Sequence, residues 1–212
     1  MVKNILRGML TSLVLAGAVS CGSDLESRVR LESENNNVGD SNLSYATYVA
    51  NNEGRKSKVY DPIPQDGKYE PTIGVGHYLD RGDSRETFKR VLPEVNYDEV
   101  YNKRRELEDE EIDKLLSEDI KIYVKRAKNR IPKFDEFPLY VRQAIVDGFY
   151  RGDLSGSPKT LRYINNGEFG KASKEYLDNN EYRNAKALGR PGIRKRMRAN
   201  AAKFLKYHEE GK

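Results

Sequence analysis

An α+β architecture, with a small β-hairpin lobe joined by a long helix to a mostly helical lobe, is predicted by three observations in the 212-residue chain. Residues 108–131 place Ile112, Leu115, Leu116, Ile120, Tyr123, Ala127 and Ile131 on one helical face, and Pro132 stops the run. Residues 55–79 lack helical period and set Val59, Tyr60, Tyr69, Ile73, Val75 and Tyr78 among Asp61-Pro62, Pro64 and Asp66-Gly67. That pattern predicts a β hairpin or meander with Asp-Gly as its turn. Amphipathic segments at 139–150, 157–165, 169–177 and 194–207, separated by Gly, Pro or Asn, predict the helical lobe.

In chain order, the first segment is MVKNILRGMLTSLVLAGAVSCGSDLES, with basic Lys3 and Arg7, a short apolar run and then Cys21. The run falls short of the roughly 20 residues that a membrane-spanning helix needs, so residues 1–20 read as an export signal. Cys21 directly follows Ala18-Val19-Ser20, which resembles the lipobox of bacterial lipoproteins, where cleavage precedes a lipidated cysteine. Such signals usually carry Leu where this chain has Ala18. The expectation is an exported, periplasmic protein anchored to the membrane through Cys21, with an ordinary signal peptide or an uncleaved anchor as the alternatives. Residues 21–42 are polar, rich in Asn and Ser, and form a tether.

The folded domain is expected over 43–212, divided into an α+β lobe at 43–107, an interlobe helix at 108–131 and a helical lobe at 132–212. Leu43, Ala46, Val49 and Ala50 recur at helical spacing after Ser41 and Asn42 as capping candidates, and the helix should end near Gly54. Glu53 then occupies its last turn, where an acidic residue opposes the macrodipole. Gly74 and Gly76 stand within an extended Thr72-Ile73-x-Val75 pattern. Glycine weakens a strand, so close approach by a ligand or tight packing under a groove should offset that cost. The groove between the lobes is where a polymer would lie.

Charged residues make up 33% of the chain and the hydrophobic class 37%, as expected for a globular protein with a well solvated surface. The formal charge is +5. Removal of Lys3 and Arg7 with the signal leaves 36 basic against 33 acidic residues, and an excess of +3 does not imply nucleic acid. From Tyr182 to His208 there are basic residues at 183, 186, 190, 194, 195, 196, 198, 203 and 206 and no Asp or Glu. This run reads as a solvated helical face, or as attraction to an anionic polymer such as a cell wall. Cys21 is the only cysteine, so no intramolecular disulfide forms.

Two histidines and no cluster of metal ligands give zinc or Cys-His chemistry little support, and no cofactor is expected. His77 and His208 adjoin no Gly-x-Ser-x-Gly elbow, and the PTIGVG loop lacks the Lys and Ser/Thr of a phosphate-binding loop. Carboxylates remain. Glycoside hydrolysis needs one carboxylic acid to protonate the leaving oxygen and a second carboxylate to activate water or stabilise charge on the sugar. Glu53 suits the first role, Asp61 or Asp66 the second, and the Thr72 hydroxyl can orient a water.

Glu53-Gly54, Tyr60 seven residues after the Glu, and Thr-Ile-Gly-Val-Gly-His at 72–77 together resemble the Glu-Gly…Tyr-x-Asp-x-x-Gly-x-x-Thr-Ile-Gly-x-Gly-His signature of phage-type lysozymes, glycoside hydrolase family 24. LEDEEIDKLLSEDIKIYVKRAKNRI looks like that family's interlobe helix, VRQAIVDGFYRGDLSG like its buried helix and glycine turn, and GRPGIRKRMRANAAKF like its basic C-terminal segment. The resemblance covers roughly 43–207. It implies a lysozyme-like fold and a monomeric muramidase or endolysin acting on peptidoglycan by inversion. Glu53 matches the family's general acid and Thr72 its cleft threonine.

The family's aspartate commonly stands two residues after the Tyr and six before the Thr, whereas this hairpin is about four residues longer. Asp66 keeps the distance to Thr72, and Asp61 keeps nearness to Tyr60. The reading takes Asp66, with Asp61 as the alternative. His77 is expected to hold the hairpin against the interlobe helix, and Tyr69 and Tyr78 to pack or to stack on sugars. Arg142, Tyr150 and Arg151 are candidates for the far wall of the cleft, without an assigned role. Two rival readings are a catalytically inactive peptidoglycan-binding lipoprotein and a tethered interaction protein using its basic C-terminal face.

Overall fold

In the computed structural model, which describes residues 41–63, 67–185, 187 and 191–211, helix α1 runs over 41–53. The export signal, Cys21 and all of the predicted tether except its last two residues lie outside the described residues. Ser41 and Asn42, expected as caps, are already helical. The buried face of α1 also differs from the expected one. Tyr45 and Val49, four residues apart, are buried, while Leu43 is 68% exposed. A four-residue step keeps side chains on one stripe, and Tyr45 supplies the larger apolar body.

A three-stranded antiparallel sheet follows in the order β1-β2-β3, built from β1 (Lys56–Tyr60), β2 (Thr72–Gly74) and β3 (His77–Tyr78). The predicted meander is therefore present; its Asp66 lies outside the described residues. Lys56 pairs with Gly74 and Tyr60 with Thr72, so β1 carries extra residues between its two pairings and bulges upstream of Tyr60. Ile73 pairs with His77, and the Gly76 N–H donates to the Ile73 carbonyl at 3.2 Å, closing a tight turn.

Gly74 and Gly76 take φ of +66° and +110° in that turn. Their presence is thus explained first by backbone conformation that other residues rarely adopt, rather than by an extended strand passing beneath a ligand. A Cβ would meet only ordinary contacts, 3.5 Å from the Tyr150 ring at Gly76 and 3.4 Å from Ile112 at Gly74.

Helices α2 (Ser84–Val91) and α3 (Tyr97–Tyr101) precede the long helix α4 (Asp109–Arg130). The Glu111 carboxylate accepts from the Glu108 N–H at 2.9 Å at the start of α4, and Ile131 and Pro132 end it, close to the predicted bounds. The helix contacts β2, β3 and α2 as well as α5 (Leu139–Tyr150), so it links the sheet to the helical cluster. Its Asp119 accepts His77 Nδ1 at 2.8 Å, while His77 Nε2 lies 2.8 Å from the Ser84 hydroxyl. His77 is buried and does hold the hairpin against α4.

The cluster is completed by α6 (Pro158–Asn165), α7 (Phe169–Leu177), the short α8 (Asn180–Asn184) and α9 (Pro191–Glu209). Its core joins Val141, Ile145 and Phe149 of α5 to Phe169 and Tyr176 of α7 and to Met197, Ala201 and Phe204 of α9. Among the described residues, no helix is long and apolar enough to cross a membrane.

Candidate functional site

Glu53 is the last residue of α1, and the Gly54 N–H closes that helix onto the Ala50 carbonyl at 3.1 Å. Three side-chain bonds fix α1 against α5 and α9. Gln143 donates to the Ser44 hydroxyl at 2.9 Å, Tyr48 to Asn200 at 2.9 Å, and Asn52 to Asp147 at 3.3 Å. The helix end is therefore rigidly held, and its terminal carboxylate faces a cleft of about 510 Å³. The sheet side of the chain contributes Tyr60 and Thr72 to its lining, α1 contributes Glu53, and the helical cluster contributes Tyr150, Arg151, Ile193 and Arg196.

Two guanidinium groups hold the Glu53 carboxylate, which is 17% exposed. Oε1 accepts from Arg151 Nη1 at 3.1 Å, and Oε2 accepts from Arg196 Nη1 at 2.5 Å. Arg196 Nη1 also donates to the Asn52 carbonyl at 3.0 Å. Burial lowers the Arg196 pKa, with Glu53 opposing that trend and Arg151 adding to it. The buried Arg196 Nε has no hydrogen-bond partner.

Behind Arg151 lies a second, fully enclosed tier. Its Nε donates to Asp153 Oδ2 at 3.2 Å, which also accepts from the Tyr176 hydroxyl at 3.0 Å. Burial pushes Asp153 up to about 6 despite the attraction of Arg151. Asp147 is buried as well and accepts from Asn200 at 2.6 Å. Burial raises its carboxyl, and the nearby Glu53 charge adds to the effect.

The Thr72 hydroxyl donates to the Glu70 carbonyl at 2.9 Å. A hydroxyl whose proton is committed in this way presents its lone pairs as acceptors, the arrangement needed to orient a water. Burial, then Glu53, raises the Tyr60 hydroxyl.

Of the residues expected from sequence, Glu53, Tyr60 and Thr72 meet in the cleft. Asp61 does not line it, and its Oδ1 accepts from the Ile63 N–H at 3.0 Å in a local turn. Asp66 lies outside the described residues. Tyr150 and Arg151 also line the cleft, with the Tyr150 hydroxyl donating to the Val75 carbonyl at 3.0 Å. Arg142 does not line the cleft, and its charge instead acts on the Tyr45 hydroxyl of α1.

Sequence reasoning missed Arg196, because a run of basic residues reads as a solvated face. The signal was there in the spacing. Arg196 stands three residues after Ile193 and four before Asn200, on the stripe that α9 buries. Several of its basic neighbours also meet side chains of the same chain. Arg194 and Arg198 lie over the Tyr182 ring, Arg183 pairs with Asp178, and Lys203 donates to Gln143 at 3.0 Å.

Among the described residues, no group of His, Cys, Asp and Glu is arranged to hold a metal ion. No protein-family model matches the chain, and no curated protein sequence matches it either.

Proposed function

We propose that this protein is an exported peptidoglycan hydrolase with a lysozyme-like fold, similar to the phage-type lysozymes of glycoside hydrolase family 24. It cleaves the β-1,4 bond between N-acetylmuramic acid and N-acetylglucosamine. One observation carries the reading: Glu53, Tyr60 and Thr72, separate in sequence and singled out by the motif, line a single cleft. In this reading the protonated Glu53 gives its proton to the glycosidic oxygen as the bond to the anomeric carbon breaks. Thr72 and an aspartate, Asp66 or Asp61, hold the water that attacks from the opposite side, and the aspartate takes the water's proton.

Both Glu53 oxygens accept from guanidinium groups, so proton donation requires one of these bonds to open. Arg196 is the more exposed of the two, and its release would also give up its bond to the Asn52 carbonyl. It sits at 20% exposure against 7% for Arg151, and Arg151 is fixed from behind by Asp153. The same double pairing, together with Asp61 turned into a local bond, favours a second reading in which the protein binds peptidoglycan without cleaving it.

Turbidity loss of purified cell walls separates the two readings. Mass spectrometry of soluble products then distinguishes hydrolysis, which leaves reducing muramic acid ends, from transglycosylation, which leaves anhydro ends. Glu53→Gln should reduce wall cleavage on the order of a hundred to ten thousand fold, the usual cost of removing a positioned acid. Its melting temperature should move by no more than about 5 °C. Substantial cleavage by this variant would sink the assignment.

A further inference from the structure

Arg151 and Arg196 bring two positive charges to the single carboxylate of Glu53. Arg151 has a second carboxylate behind it in Asp153, 3.2 Å from its Nε. Among the described residues, Glu53 is the one carboxylate that pairs with Arg196. The acid role proposed above needs a protonated Glu53, and that proton removes the negative charge the two guanidinium groups share. Arg151 then keeps Asp153. Arg196, 20% exposed, keeps only the Asn52 carbonyl as an acceptor among the described residues, and a largely buried cation without its counter-charge is strongly unfavourable.

The Arg196 guanidinium also has donors to spare. Its bonds to Glu53 and to Asn52 both leave from Nη1. Nε is buried without an acceptor, and Nη2 stands beside Gly192, where a Cβ would lie 3.9 Å away. In an arginine, Nε–H and one Nη2–H point the same way and form an edge that takes both oxygens of a carboxylate. Arg196 and Gly192 both line the cleft, which puts the guanidinium within reach of a bound strand.

A sugar hydroxyl would satisfy one donor without balancing the charge, whereas a carboxylate does both. In a wall glycan, carboxylates belong to the muramic acid unit, as the lactyl group where the peptide has been removed or within the stem peptide where it has not. On the hydrolase reading above, we propose that Arg196 is a specificity-determining residue that exchanges Glu53 for a carboxylate of the muramic acid unit, so that an anionic strand holds the site in its acid-competent form. A strand without carboxylates leaves Arg196 on Glu53 and is a poor substrate.

The test is calorimetric binding to the full chain carrying Glu53→Gln, which stands in for protonated Glu53 and does not degrade the ligand. The ligands are wall glycan oligosaccharides with their stem peptides and the same strands stripped of peptide by an amidase, each before and after conversion of its carboxylates to methylamides. Carboxylate-bearing strands should bind about tenfold tighter than their methylamides, and adding Arg196→Gln should reduce that preference to about twofold or less. A preference confined to peptide-bearing strands assigns the carboxylate to the stem, one shown by stripped strands assigns it to the lactyl group, and both uphold the proposal. Equal affinity for strand and methylamide, no binding of either, or a preference that survives Arg196→Gln overturns it. Should Arg196→Gln fail to fold, Arg196→Lys decides alone, because it keeps the charge but loses the paired edge, and an undiminished preference then overturns the proposal. An Arg196-dependent preference in a protein whose Glu53-intact form leaves walls uncut would remove the proposed function but keep this site. Wall cleavage without such a preference would do the reverse.

Discussion

Asp153 offers a direct test of the buried tier behind the cleft. Its side chain has no exposure and accepts from Arg151 Nε, the Tyr176 hydroxyl and the Leu154 N–H. Burial pushes its carboxyl from 3.8 to about 6, a difference worth about 3 kcal/mol between the two protonation states. The sign follows from the native state holding the proton more tightly than the unfolded chain. Above about pH 6 the native protein bears the full cost of the buried charge. As pH falls from 6 towards 3.8, the native state takes up its proton first and the cost is relieved. Asp153→Asn removes the titration.

Urea unfolding followed by far-ultraviolet circular dichroism, at steps from pH 7.5 to pH 4, gives the stability difference between the two proteins. Subtracting the variant cancels the contributions of other carboxylates. Wild type should gain about 2 kcal/mol on the variant across that range. A difference that stays constant, or that moves against wild type on acidification, would refute the reasoning and show that Arg151 offsets the desolvation of Asp153.

The two candidate aspartates should separate in cleavage assays. Asp66→Asn should lower turnover by orders of magnitude with little change in wall binding, whereas Asp61→Asn, which keeps an acceptor for the Ile63 N–H, should leave turnover nearly unchanged. A reversed result would move the water-activating role to Asp61. Asp119→Asn leaves His77 and Arg81, at 2.8 and 2.9 Å, without their buried carboxylate and should cost about 3–5 kcal/mol. A melting point lowered by less than 2 °C would show that the contact contributes little. Gly76→Ala, at φ +110° against the Tyr150 ring, should destabilise by about 1–3 kcal/mol. Gly74→Ala, near the ordinary left-handed region at +66°, should cost less, and equal urea midpoints for the two would contradict the conformational explanation.

Much of the architecture is local in origin and was legible for that reason. The long helix, α5 and α7 announce themselves by apolar spacing sustained over two turns or more, with Pro or Gly marking their ends. Glu53 could be assigned to a helix end from four apolar positions and one glycine. Helix α2 was missed, and so were the short helices α3 and α8, of five residues each. So few residues show too little periodicity, and their stability comes from tertiary packing rather than propensity.

The pairings in the site belong to the folded chain alone. Arg151 and Arg196 reach Glu53 across 98 and 143 residues. His77 meets Asp119 across 42. Nothing in the local chemistry of a basic run says which of its guanidinium groups will turn inward. That choice follows from how α9 rotates to bury Ile193, Met197 and Phe204, which carries Arg196 round to the end of α1. Sequence by itself determined which residue types were available for acid chemistry and which elements would carry them. Tertiary packing decided which charges face one another, because the energy that places them comes from apolar surfaces brought together over long separations.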